Sequence, residues 1–315
     1  MKRVGIGFMA LALCLPLSVH GTKASPWQIS SAAVLKSSDD DIGRNSATTG
    51  YFDGIEISER RFTENGFTWH LTRFINKDTP EGPLWMVPHD DENAAFDAMI
   101  AAVKAHGGVG IAVNSGPGSL RGQSGNGVCG VKASNASSCD PNRNFGQTTP
   151  QFTGAFLSER SYDWPIIALH TNTPGFSGDG QGGRGDITIL DRTEYARGRI
   201  APRANGYLAI KPKPVMANYD TLGLTAYLAA NGQPDSGATA CGNAIANAGA
   251  HFWHERVGAS DGSMSNYLAL TRPDIAYLNA ESRAETDLAI AASRHGIMIN
   301  AYLQGCTASG NKPIP

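Results

Sequence analysis

The stretch LWMVPHDDENAAFDAM (84–99) runs apolar, stops at His89, and follows it with three acids before a helix-like pattern begins. A second apolar run, WPIIALH (164–170), also stops on a histidine, His170. In an open α/β sheet the ligand crevice lies outside the carboxyl ends of the strands, so the two imidazoles fall on one rim. Glu92, three residues after His89 and at the first turn of the next helix, adds a carboxylate. Two imidazoles and one carboxylate make a zinc set with a fourth position open to water. Zinc held this way brings the pKa of its water toward neutrality and polarises a carbonyl. The same letters also have a plainer reading. Asp90, Asp91 and Glu92 are then acids favoured at a helix N-terminus by its dipole, and His170 is an ordinary rim histidine.

Two other segments carry chemistry. In CDPNRNFG (139–146), Asn142 and Arg143 suit a carboxylate, because a guanidinium offers a planar fork and an amide adds a donor. A solvated Asp-Pro-Asn turn is the competing reading. HFWHERVGASDGSMSNY (251–267) offers His251, His254 and Glu255 as a second metal centre. It lacks the i, i+4 histidine pair of a metalloprotease helix, so a wall of the site or a plain strand is the simpler expectation. Asp261-Gly262-Ser263 reads as a turn from which Tyr267 reaches a substrate.

The elements that must position these residues can be read from periodicity. FTWHLTRF (67–74) alternates as a strand, and PLWMVP (83–88) is a short buried strand. ENAAFDAMIAAVKAH (92–106) is an amphipathic helix stopped by Gly107-Gly108, and VGIAVN (109–114) is the next strand. Strand, helix and strand within about thirty residues form a βαβ unit, which predicts a mixed, largely parallel sheet flanked by helices. YDTLGLTAYLAANG (219–232) and AETDLAIAASRHGIMINAYLQG (284–305) read as helices, and ITIL after a glycine-rich loop (174–186) reads as a strand. The long Gly-, Ser- and Asn-rich stretch 115–150 reads as a functional loop. The chain shows no internal repeat and no dividing linker. It divides into a signal peptide over 1–24, a loose N-terminal extension over 25–50 and one α/β catalytic domain over 51–315.

Composition narrows the class. The 315 residues hold 26 Lys and Arg against 28 Asp and Glu, a net charge of −2. No basic run exceeds two residues, which argues against a nucleic-acid partner, since phosphate binding needs a concentrated positive face. The opening MKRVGIGFMALALCLPLSVHGTKASP has a basic start, an apolar run over 4–18 and small residues after it, the layout of a secretory signal. That run is short for a membrane span, so a periplasmic or secreted protein with no stable membrane insertion is expected. Four cysteines then remain, Cys129, Cys139, Cys241 and Cys306. An even count in an exported chain suggests disulfides, and the local pairing Cys129–Cys139 leaves Cys241–Cys306. With no C-x-x-C pair, a zinc cluster of cysteines is the weaker reading.

HDDE, then DPNRNF, then IIALH, in this order, resembles the zinc carboxypeptidase superfamily, nearest its aspartoacylase and succinylglutamate desuccinylase branch. The resemblance implies zinc on His89, Glu92 and His170, with Asn142 and Arg143 binding a substrate carboxylate. It also implies a catalytic glutamate at the close of a late strand, a role that Glu281 in PDIAYLNAESR (273–283) would fill. An upstream cation that polarises the scissile carbonyl is expected, and Arg121 and Lys132 stand in its place. This chain has Asp90-Asp91 where the branch usually has Gly-Asn, and NFGQ where it commonly has an F-P-G ending. The implied activity is hydrolysis of a peptide or acyl-amino-acid amide bearing a free carboxylate, with cell-wall (peptidoglycan) peptides as one candidate. PHDDE also resembles the H-P-D-D-E of zinc-dependent N-acetylglucosamine deacetylases, with HFWH as their later H-x-x-H. A third reading is a non-catalytic peptide- or glycan-binding module on the same fold.

Overall fold

The computed structural model describes residues 26–114, 129, 140–172, 206–210, 224–230, 236–283 and 287–306. The expected signal segment, Arg121, Lys132, Cys139 and the ITIL strand lie outside the described residues. In chain order the elements are β1 (Gln28–Ser30), α1 (Ala32–Leu35), α2 (Asp40–Asn45), β2 (Ile55–Glu64), β3 (Phe67–Asn76), β4 (Leu84–Val87), α3 (Asn93–His106) and β5 (Val109–Val113). A 3₁₀ turn (Pro141–Arg143), α4 (Pro150–Leu157), β6 (Ile166–Asn172), β7 (Gly206–Ile210), β8 (Leu224–Ala230) and α5 (Ser236–Asn247) follow. The last four are β9 (His251–Arg256), α6 (Met264–Thr271), β10 (Tyr277–Arg283) and α7 (Leu288–Gly305).

The ten strands among the described residues join one mixed α/β sheet in the order β1-β2-β3-β5-β4-β6-β10-β8-β9-β7. Its centre, β5-β4-β6-β10, is parallel, and antiparallel pairs lie on both sides of it. Parallel central strands are covered on both faces and so read as continuous apolar runs. LWMV in β4 and VGIAV in β5 are buried at every position. Alternation still decides which layer each side chain enters. Trp85, Val87, Ile167, Leu169, Leu278 and Ala280 pack with α3, α5 and α7. Leu84, Met86, Ile166, Ala168 and Tyr277 pack on the other face with Phe152 and Phe156 of α4 and Met264 and Leu268 of α6.

Gly108 lets the βαβ unit close tightly. Its φ is +85°, and a Cβ there would collide with the Pro83 carbonyl. The indole of Trp85 then donates to the Gly107 carbonyl at 2.9 Å, tying the end of α3 back to β4.

Two expectations need correction. Residues 224–230, read as part of a helix, form strand β8, paired with β10 on one side and β9 on the other. LTAYLAA is a short apolar run, which periodicity cannot assign when both faces are covered, and ladder pairing overrides the helix preference of its alanines and leucines. The segment 26–50, read as loose, is packed. Leu35 and Ile42 enter the core, at about 1.5–3 kcal/mol for each fully buried side chain. Arg44 makes paired hydrogen bonds to Asp97 of α3 at 2.9 Å each, joined there by Asn45 and Tyr51. Asp39 caps α2 through the Ile42 amide and accepts from Thr72 of β3. The long-range disulfide is as expected: Cys241 of α5 is bonded to Cys306 just past α7. Cys129 is also disulfide-bonded. Among the described residues, no helix is long and apolar enough to cross a membrane.

Burial pushes Asp41 of this network up to about 7, against the pull of Arg44. A carboxyl raised in the folded state binds its proton there more tightly than in the unfolded chain, so its contribution to stability falls as pH rises from about 4 to about 7. Asp41→Asn lacks this slope. Denaturant unfolding of both proteins across that range is expected to shift in the variant's favour as pH rises, by up to about 1.4 kcal/mol per unit.

Candidate metal centre

The chain leaves β4, turns through His89 and Glu92 into α3, and returns as β5 on one side of β4, while β6 lies on its other side. Neighbouring connections therefore diverge at the carboxyl ends of β4 and β6, the place where such sheets open a crevice. His89 follows β4 by two residues, and His170 lies on β6. Glu92 is the N-cap residue of α3, yet its side chain makes no capping hydrogen bond. Its carboxylate turns toward the two histidines instead.

The three groups are buried, with His89 2%, Glu92 3% and His170 3% exposed. His89 Nδ1 lies 2.8 Å from Glu92 Oε1 and 3.2 Å from His170 Nδ1, and His170 Nδ1 lies 3.3 Å from Glu92 Oε2. Asp140, at the N-cap of the 3₁₀ turn, fixes one proton, because its Oδ1 stands 2.8 Å from His89 Nε2 and can only accept from it. With the proton on Nε2, His89 Nδ1 presents a lone pair to the Glu92 carboxylate and to the second imidazole.

Electron pairs this close need a proton or a cation among them. Burial alone would raise the Glu92 carboxyl, but its interactions with the His89 and His170 imidazoles outweigh that and hold Glu92 below the usual range. The spacing also suits a metal: ligands at zinc's 2.0–2.2 Å in a tetrahedron sit about 3.3 Å apart. Among the described residues, His89, Glu92 and His170 are the one group of His, Cys, Asp and Glu whose donor atoms could hold an ion. The His89–Asp140 bond is the carboxylate–histidine pairing that orients metal-binding imidazoles. In the sequence Asp140 is the first residue of DPNR, with no pattern that points to His89. Its signal was an aspartate placed to cap the turn.

The remaining predicted residues lie around this centre. Glu281, 5% exposed, faces His170 directly across the β6–β10 pair, so both side chains leave the same face of the sheet. Asn279, two residues back on that face, donates to Glu281 Oε1 at 2.9 Å. Asn142 and Arg143 are on the 3₁₀ turn whose Asp140 holds His89. The Asn142 amide donates to Asp140 Oδ1 at 2.8 Å, and Arg143 Nη1 lies 3.7 Å from Asp140 Oδ2. On its other side Arg143 Nε lies 3.6 Å from Asp261 Oδ2. Gly262 makes this contact possible: at φ +86° its backbone packs where any Cβ would strike the Arg143 carbonyl, and it accepts from the Phe145 amide at 2.8 Å. Burial, with Asp261 nearby, pushes Glu255 up to about 7, although Arg143 acts in the opposite sense.

One placement differs from expectation, and the plain-strand reading of 251–256 holds. Tyr267 stands in the first turn of α6, after the Asp261-Gly262-Ser263 turn, with its ring packed against the aromatic layer. His251 and His254 lie on strand β9, and residues three apart on a strand project from opposite faces, so they cannot close one metal centre with Glu255. That parity was available from the sequence once the segment was read as a strand.

No family model matches the chain, and no curated protein matches it. Solved structures do. A provisionally assigned carboxypeptidase A from Shewanella denitrificans OS-217 is 12% identical with a TM-score of 0.45, over 81% of this chain and 65% of that one. A metallo-carboxypeptidase from Burkholderia cenocepacia is 13% identical with a TM-score of 0.44, over 82% of this chain and 67% of that one. A provisionally assigned metallopeptidase from Shewanella denitrificans OS217 is 12% identical with a TM-score of 0.39, over 90% of this chain and 98% of that one. This chain thus spans just under two thirds of the first of these. Likenesses this distant carry no argument about function, which rests on the side chains themselves.

The metal reading has a direct check. Zinc-loaded protein, gel-filtered and measured by mass spectrometry of the metal, is expected to hold one ion per chain. His89→Ala and His170→Ala are expected to hold none, and Asp140→Asn to bind roughly 10- to 100-fold more weakly.

Proposed function

We propose that the protein is a zinc-dependent hydrolase of the metallocarboxypeptidase kind, cutting a peptide or acyl-amino-acid amide that bears a free carboxylate. The observation that carries this reading is the convergence of His89, Glu92 and His170, with Glu281 one strand away in register and Arg143 held by the same Asp140 that braces His89. When bound by the three ligands, zinc supplies an acidified water and a Lewis acid for the scissile carbonyl.

The chain's own residues do the rest. Glu281 would take a proton from the attacking water and return it to the leaving amine. The Asn279 amide fixes one Glu281 oxygen and so orients the carboxylate. Arg143 lies 3.7 Å from Asp140 and 3.6 Å from Asp261 and donates to the Asn142 carbonyl oxygen at 3.3 Å, and its guanidinium offers the planar two-bond grip that suits a substrate carboxylate. Asn142 would add an amide donor beside it. Tyr267 and Arg121 were candidates for further substrate contacts; Tyr267 packs against the aromatic layer, and Arg121 lies outside the described residues. Export, a periplasmic or secreted location and a peptidoglycan substrate follow from the opening segment and the free carboxylates of cell-wall peptides. They stand as parts of the proposal. The deacetylase reading needs its H-x-x-H pair on one side, which a strand denies to His251 and His254.

With zinc-loaded protein and a panel of peptides and acyl-amino acids, Glu281→Gln is expected to lower kcat by at least about 100-fold with little change in KM, the span general acid–base catalysis covers. Arg143→Met is expected mainly to raise KM for substrates ending in a free carboxylate and to leave their amidated analogues unchanged. Tight binding of the panel by wild-type protein without any turnover would point to a binding module instead.

A further inference from the structure

The two histidines of the metal centre are held differently. The His89 ring is clamped from behind, its Nε2 donating to Asp140 Oδ1. Nothing equivalent holds the His170 ring, because its Nε2 is buried with no hydrogen-bond partner among the described residues. Its aim must come from its backbone.

That backbone is gripped from the opposite face of the sheet. His295, wholly buried at 0% exposure in the middle of α7, places Nε2 2.8 Å from the His170 carbonyl oxygen. Both ring nitrogens face carbonyl oxygens, which can only accept: Nδ1 stands 3.1 Å from that of Ala291, one turn back on α7, and the shorter Nε2 contact marks the N–H···O bond to His170. Ser282 Oγ lies 3.3 Å from that Nδ1 and can donate to it. Ser282 directly follows Glu281 on β10 and, by strand alternation, points away from it toward α7. One imidazole therefore ties together the two strand ends that carry His170 and Glu281. A residue chosen only to fill the core would be apolar here, since a buried imidazole costs desolvation unless both nitrogens are used.

We infer that His295 is a positioning residue of the metal centre, which fixes the backbone of His170 and the register of Glu281 beside it so that both side chains meet at the ion. The inference rests on the metal reading above and extends it to the far side of the sheet. His295 touches neither metal nor substrate. It acts only through the peptide that bears His170 and the hydroxyl beside Glu281.

The test compares wild type with His295→Gln, which keeps an N–H donor and an acceptor on one side chain, and His295→Met, which keeps the volume and removes the donor. Each is loaded with cobalt, whose visible absorption reports ligand geometry. Cobalt and zinc affinities are measured by chelator competition, and melting temperatures are recorded with and without metal. His295→Met is expected to bind metal on the order of tenfold more weakly, the lower end for loss of an orienting partner, with a shifted cobalt spectrum. His295→Gln is expected to recover most of the affinity and the wild-type spectrum. Equal affinities and superimposable spectra in wild type and His295→Met would overturn the inference, as would a lower melting temperature with the metal parameters intact, since that is a packing role. No stoichiometric cobalt in wild type would overturn the metal reading itself, and the inference with it.

Discussion

Lone pairs aimed at one point repel, and the space between His89, Glu92 and His170 gathers them from two imidazoles and a carboxylate with almost no water nearby. In bulk solvent such an arrangement would drift apart. Here each donor is fixed by something outside the cluster. A carboxylate on the 3₁₀ turn holds the first ring, the start of α3 holds Glu92, and the sheet holds the second histidine. A positive charge at the centre would balance this repulsion, so the arrangement of donors suits a cation.

The sheet's topology explains why support from three separate parts of the chain is possible. Because β4 leads to β5 on one side and has β6 on the other, its carboxyl end is not bridged by a single connection. The turn after β4, the strand β6 and the 3₁₀ turn can reach the same rim without competing for backbone room. The aromatic layer of Phe145, Phe152 and Phe156 then supports the 3₁₀ turn from below, with ring centroids 5.0–5.3 Å apart. Packing of this density leaves little freedom to the side chains that rise from it.

The convergence of His89, Glu92 and His170 was legible in the sequence because its signals are local. Two buried strands each end in histidine, and a glutamate follows the first by three residues. The βαβ unit was legible for the same reason, since its helix face and its glycine stop are written in consecutive letters. What was not legible depended on distant neighbours. LTAYLAA became strand β8 because β10 and β9 flank it, which no short window records. The segment 26–50 looked loose because its order comes from Arg44, Asn45 and Tyr51 meeting Asp97, about fifty residues on. Asp140 and His295 were overlooked because each matters through one long-range hydrogen bond, and neither has a pattern around it.

The disulfide between Cys241 and Cys306 has a mechanical side. Cys306 lies eleven residues past His295, about 16 Å along a helix rising 1.5 Å per residue. Apolar seams between helices tolerate sliding, because one methyl group is much like the next, whereas a covalent tether sets the axial position of a helix as a detent sets a ratchet. Oxidation at the far end of α7 thus indexes which side chain lies under the sheet. A cluster of side chains built without sulfur is thereby linked, through α7 and His295, to a covalent sulfur bridge.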